Sequence, residues 1–502
     1  MSVYSQDKKD VSPHSEIQIG DVEASSLEKD GLERHYTLFS AYSFAVSISG
    51  LFSTIGTSFT YPLLAGGGPA IVWSWFIAGA GCLLIAFSVA ELVSAYPTSG
   101  GMYHASYHVF PRNVAPFMSW LDGWLAFLGQ IAITASSEYG GAQMLLAAIS
   151  MCTDFSYQPT AAETVGVVAA MIFAHGLVNC LPMKYVEKCT RFYTIFHFSA
   201  MITGAIALLA KTEPRNNAKY VFTHVETNSG WSPEGWSFIF GFLSVSWSMT
   251  LYDGTAHMAD CLKRPERNAP WAISGGMLTT YVLGFLYNIV LAFCMKDVGS
   301  IVDESLPVSA IYYNGLGKGG GIAYTFFMFA VMNFVGISVL QSASWSTWAQ
   351  ARDNMFPGAR KYLGYIYPRT GTPIFSIILC TILSICVNLI GLGSSTTINA
   401  IFNVTAIALD WCAIIPVIGK LCYPQNFRPG PWNLGRFSKP INYAAVAWVL
   451  FVTVVFCMPY SMPVTAIDMN YAVVFFVFTI AAAGLSWICG CNRLYRGPLD
   501  II

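Results

Sequence analysis

Charge is what this sequence has least of. Of its 502 residues, only 11% are Asp, Glu, Lys or Arg, against about 25% in an ordinary globular domain. A chain so poor in charge cannot cover its surface with solvated groups, which excludes water as its main solvent and leaves membrane lipid. A net charge of −1 removes the basic footprint that nucleic acid binding needs, so no nucleic acid partner is expected. Cysteine occurs thirteen times but never as Cys-x-x-Cys or at Cys/His ligand spacing, which argues against a disulfide framework and a zinc site. Also missing are His-Glu-x-x-His, Gly-x-Ser-x-Gly and any cluster of histidines. Neither an enzyme nor a cofactor is therefore expected, and no repeated filter sequence suggests a channel.

What is present is apolar. Hydrophobic residues make up 55% and aromatics 15%, with a mean hydropathy of +0.53. A spanning helix needs about 20 predominantly apolar residues. Between Arg34 and Glu91 lie 56 residues without an acid, lysine or arginine, interrupted once at Ala65-Gly66-Gly67-Gly68-Pro69. That stretch reads as two spans joined by a tight turn. Further spans are expected near 123–150, 162–182, 191–210, 236–258, 271–295, 320–349, 373–393, 396–418, 441–462 and 468–490. The expectation is an all-α integral membrane protein of about twelve helices. Placing the N-terminus inside puts 21 of the 26 Lys and Arg residues on the cytosolic side, as topology rules require. Both termini are therefore expected in the cytosol: residues 1–36 as a disordered tail without a cleavable signal, and 491–502 as a short C-terminal one. The plasma membrane is the expected location, with the vacuolar membrane left open.

Two spans carry polar interruptions at membrane depth. The first reads Ser47-Ile48-Ser49-Gly50-Leu51-Phe52-Ser53-Thr54-Ile55-Gly56-Thr57, in which seven of eleven residues are Ser, Thr or Gly. The sixth reads Ser246-Trp247-Ser248-Met249-Thr250-Leu251-Tyr252-Asp253-Gly254-Thr255. Unwinding there frees backbone groups that lipid would penalise and a polar solute can satisfy. The expected substrate-binding set is Ser49, Gly50, Leu51, Phe52, Ser53 and Thr54 with Trp247, Ser248, Met249 and Thr250. Packing of small residues between helices is the competing reading. Spans one and six lie five helices apart, as an inverted five-plus-five repeat requires: residues 37–210, then 236–418, with two extra helices over 441–490.

Three motifs carry a family resemblance. Ala90-Glu91-Leu92-Val93-Ser94-Ala95-Tyr96-Pro97-Thr98-Ser99-Gly100-Gly101-Met102-Tyr103 resembles the segment after the second helix of amino acid–polyamine–organocation permeases. Trp247 through Asp260 resembles the sixth helix of the fungal amino acid/choline branch. Ala351-Arg352-Asp353-Asn354-Met355-Phe356-Pro357 is similar to the loop after that family's eighth helix. The resemblance implies a transporter of the GABA, choline, polyamine or amino acid class. Two positions depart from it: Asp260-Cys261, where relatives carry paired acids, and Asp410-Trp411, where the tenth helix has a small residue followed by Tyr.

Acids inside a membrane are costly and point to function. Glu138 lies sixteen residues from both Asp122 and Asp154, near the middle of the third span. It is a candidate counter-charge for a cationic group or a protonatable residue, with an inward structural acid as the alternative. Asp410 lies ten residues before Lys420, about 15 Å in at helical rise, and is a candidate for proton coupling. Asp253 and Tyr252 belong with the sixth break, Asp253 more as a brace than a substrate contact. Glu91, near the cytosolic end of the second span, reads as a gate or anchor. Phe52, Trp247 and Tyr252 offer aromatic faces to an ammonium. His175, His197 and His257 are single and separated, and hydrogen-bonded structural roles fit them best.

The expected function is a secondary active transporter of a small amine-bearing solute, with a coupling proton as its partner, working by alternating access. Spans one, two, six and seven would rock against three, four, eight and nine. A carrier or exporter of a specialised metabolite, such as an alkaloid or amino-acid derivative, is the alternative within the class. A non-transporting nutrient receptor on the same fold is a further one, disfavoured by the short tails.

Overall fold

The computed structural model describes residues 36–499 apart from 297, 303, 394, 460 and 465–468. Residues 1–35 of the proposed N-terminal tail thus lie outside the described residues, while Tyr36 is buried. Lipid offers no hydrogen bonds to a backbone, so apolar runs of this length close all their bonds internally as helices. Among the described residues there are only two isolated bridges, Tyr36 with Leu262 and Tyr367 with Thr372. Ten helices among the described residues are long and apolar enough to cross a membrane. The third span, Ala115–Cys152, is long enough, but Gln130, Ser136, Ser137 and Glu138 dilute its apolar character. The sixth is divided, running Glu234–Phe240 and Phe242–Ser248 before it unwinds. Together these twelve elements make a multi-pass membrane protein.

The turn between the first two spans falls at Gly66 and Gly67, where Gly67 takes φ 61°. Gly68 there packs against the backbone of Tyr220 and Val221 so closely that a Cβ would come within 3.0–3.2 Å of it. The eighth span is longer than expected, Pro307–Arg352, but Gly317 at φ 78° interrupts it near its start. The third begins at Ala115, eight residues ahead of the expected 123.

The helices pack in two groups. The first, second, sixth and seventh spans contact one another, as do the third, fourth, eighth and ninth. The fifth and tenth bridge them, the fifth touching the first and eighth, the tenth running along the third. The apolar windows of the first and tenth spans are 83% and 89% buried, against 17% for the twelfth, so the first and tenth are central and the twelfth peripheral. Phe173, Leu177, Phe192, Ile195 and Ile488 point outward, the arrangement of a lipid-facing surface. The segment after the twelfth span docks rather than hanging free. Tyr495 is buried, 2.7 Å from Ser119.

Candidate functional site

The first span breaks at one residue. Helix Leu38–Ser49 ends on Gly50 at φ 47°, ψ 37°, and a new helix, Leu51–Ser58, begins beyond it. Left-handed backbone favours glycine, and here a Cβ would also collide with Val335 of the eighth span. The break disposes of its backbone groups locally. The Thr54 hydroxyl donates to the Ser49 carbonyl at 2.9 Å, and the Ser53 hydroxyl to the Gly50 carbonyl at 2.9 Å. The Phe52 N–H donates at 3.1 Å to Nε2 of His197 on the fifth span. An imidazole nitrogen that accepts is unprotonated, so the His197 proton sits on Nδ1.

The sixth span unwinds over residues 249–255, between Ser248 and the short turn Ala256–Cys261. Leu251 there is held at φ 61°, a strained value for a residue with a Cβ. Nε2 of His257 lies 3.1 Å from Asp253, and its Nδ1 lies 2.8 Å from the Ser99 carbonyl. A carbonyl only accepts, so Nδ1 carries a proton, and the imidazole clips the unwound segment to the Ser99-Gly100-Gly101 turn. The helices beside the two breaks meet through hydroxyls: Ser58 is 2.8 Å from Ser244 and 3.4 Å from Ser248. Trp247 donates to Ser136 of the third span at 3.2 Å, and its ring lies tilted against Phe402 of the tenth, centroids 4.8 Å apart. The Thr250 hydroxyl is buried and, among the described residues, unpartnered.

Ser49, Gly50, Leu51, Phe52, Ser53 and Thr54 are therefore brought to the same region as Trp247, Ser248, Met249 and Thr250, all buried. Glu138 neighbours the first break across the eighth span. Val335 packs on Gly50, while the next residue, Gly336, abuts Glu138 and His175. Glu138 Oε1 is 2.6 Å from His175 Nδ1, and His175 Nε2 is 3.1 Å from Asn333. Its second oxygen, Oε2, has no hydrogen-bond partner. Glu91 is anchored by Lys420 and Ser438 at 2.5 and 2.8 Å, tying the second span to the tenth and eleventh.

Asp410 is different. It is 1% exposed, and it faces the Tyr252 hydroxyl of the unwound segment and the Cys82 region of the second span. The Tyr252 approach closes no full hydrogen bond, and among the described residues both carboxylate oxygens stay unpartnered. Sequence reasoning missed three contributors. Ser136 and Phe402 bear no local mark, and Asp122, which accepts from Ser106 at 2.5 Å, looked like a span boundary. His197 was noticed, but nothing in the sequence tied it to a backbone N–H 145 residues away.

The Lys- and Arg-rich side is held by two of the motifs touching each other. Tyr103 and His104 both reach Asp353 Oδ2 at 2.8 Å. Burial pushes the Asp353 carboxyl up, but the bonds from His104 and Tyr103 and the adjacent Arg352 charge leave it below the usual carboxylate range.

A buried pair of interrupted helices in the first and sixth spans defines a carrier fold rather than an enzyme or channel. The amino acid permease family model matches residues 36–480, and the chain belongs to that family, within the amino acid–polyamine–organocation superfamily. It is 47% identical to an uncharacterised amino-acid permease of Schizosaccharomyces pombe, over 94% of this chain and 88% of that one. It is 40% identical to amino-acid permease 2 of Neurospora crassa, over 93% and 86%. It is 28% identical to the amino-acid permease BAT1 of Arabidopsis thaliana, over 94% and 95%.

Proposed function

We propose that this transporter carries an amino acid or a related amine-bearing solute, of the GABA, choline or polyamine class, across the plasma membrane, both termini in the cytosol. The observation that carries this reading is the facing pair of breaks, at Gly50 and over residues 249–255. Backbone groups at the ends of half-helices suit a carboxylate on one side and a cation on the other. The relatives named as amino-acid permeases favour the same cargo. Because the residues around both breaks are buried, a solute enters only when the first, second, sixth and seventh spans move against the third, fourth, eighth and ninth. That movement is alternating access.

The coupling ion in this reading is a proton, and Asp410 takes it. An unpartnered carboxylate inside the membrane is expensive when ionised. Asp410 also abuts the segment that must rearrange. Glu138, by contrast, already has His175, and we assign it to holding the third span to the fourth and eighth. Uptake of labelled GABA, choline, putrescine and an amino-acid mixture into proteoliposomes, with and without an inward proton gradient, tests the reading. Gradient-stimulated accumulation of one of them is the expected result. Flat uptake across the panel would overturn it in favour of a specialised-metabolite carrier.

A further inference from the structure

A cavity of about 520 Å³ lies away from both breaks, between the third span, the start of the fourth and the segment leading into the eighth. Its size is that of a small-ligand pocket. It opens at the end of the bundle opposite the Lys- and Arg-rich loops. The Ser309 hydroxyl lines it, 1% exposed and, among the described residues, without a hydrogen-bond partner. A buried hydroxyl left unpaired is costly unless something completes it. Gln143, Gln158 and Asn314 add amide groups to the wall. Phe155 and Tyr313, ring centroids 5.3 Å apart, form an aromatic side. Glu304 is exposed at the mouth, and among the described residues no cation pairs with it. The nearby Lys318 is committed to Asp154 at 2.5 Å.

We propose that this pocket is a second binding site, outside the transport route, for a small solute bearing a protonated amine. Glu304 and the aromatic faces suit the cation, and Ser309 with the amides suits the polar remainder. The class of ligand follows from the lining itself, so the proposal stands apart from the central site.

The test uses the purified full chain with Ser309→Cys, in a background where the exposed Cys152 is replaced by serine. Modification at residue 309 is followed by peptide mass spectrometry, using 2-aminoethyl and 2-sulfonatoethyl methanethiosulfonate as cationic and anionic probes. Each rate is divided by that reagent's rate with free cysteine. The cationic probe is expected to be favoured about fivefold by one nearby unit charge. Glu304→Gln should bring the ratio close to one, and putrescine should slow the reaction where sodium chloride of equal ionic strength does not. Equal rates for the two probes, no reaction at all, or no protection by putrescine would each overturn the proposal. Ala310→Cys, on the same wall, serves if Ser309→Cys fails to fold. Because no transport is read, failure here leaves the uptake result untouched, and flat uptake leaves this one.

Discussion

His197 does the least conspicuous work at the residue scale. A helix interrupted inside a membrane leaves N–H groups without intrahelical acceptors, and each one costs about 1–3 kcal/mol if left unpaired. His197 takes the Phe52 N–H from another helix, so it is a positioning residue for the first break. His197→Phe keeps the ring volume and removes the acceptor. We expect uptake to fall about tenfold or more, the loss that one unpaired donor implies, with membrane expression retained. His197→Gln, which can still accept, should recover part of it. Uptake by His197→Phe equal to that of the parent would remove His197 from this role. Glu138 and His175 illustrate the opposite case. Glu138, which reads alone as a counter-charge, meets His175 at 2.6 Å, a pairing across 37 residues that no local pattern records.

At the scale of elements, the breaks were the most legible part of the site and the partners of the breaks the least. Gly50 stood out because glycine and hydroxyl residues crowd a stretch that should be apolar, and the same excess marked residues 249–255. Leu251, whose backbone carries the strain, gave no sign, since leucine is ordinary in any span. Spans were legible where the apolar run was clean. The third was legible only because acids bounded it, and the eighth only in part, because Pro307 to Leu316 continues as helix before Gly317. Gly50→Val tests the first break directly. Left-handed backbone costs an L-residue about 1–2 kcal/mol, and the new side chain meets Val335. Uptake should be abolished while the chain still reaches the membrane; normal uptake would count against a break that matters. A second element, the short helix Met102–Val109 after the second span, gives a pH prediction. Burial and the neighbouring His104 push the His108 imidazole down to about 4 from its ordinary 6.5. The folded state therefore holds His108 neutral while the unfolded chain protonates it below 6.5, so stability is full above that pH and declines as pH falls towards 4. Thermal unfolding followed from pH 7 to about 4 should show this decline, and His108→Gln should make it shallower. An unchanged slope in that variant would assign the acid sensitivity elsewhere.

On the scale of the whole molecule, both sides of the central region are fastened. On the Lys- and Arg-rich side, Ser40 of the first span bonds Glu187 of the fifth, which also pairs with Arg191. The Tyr36 backbone bonds Cys261 and Lys263 just beyond the sixth. On the other side, Trp247 closes the sixth span onto the third and tenth. A carrier held shut at both ends needs something that responds to the ion gradient and touches the moving helices. On the proton-coupled reading proposed above, Asp410 fills that role, since it lies on the bridging tenth span against Tyr252 of the unwound segment. In that reading the ionised carboxylate is costly in its buried setting and favours an arrangement that admits water. Protonated, it is compatible with the sealed one. Asp410→Asn fixes the neutral form with the same shape, so the sealed arrangement stays available but no longer depends on protons. In proteoliposomes this variant should lose the stimulation of uptake by an inward proton gradient. It should keep exchange of labelled for unlabelled solute when both faces are loaded, because exchange needs movement of the loaded carrier and no net proton transfer. Loss of both activities would make Asp410 a structural or substrate contact. Stimulation equal to the parent's would send the search for the proton to Glu138 and His175.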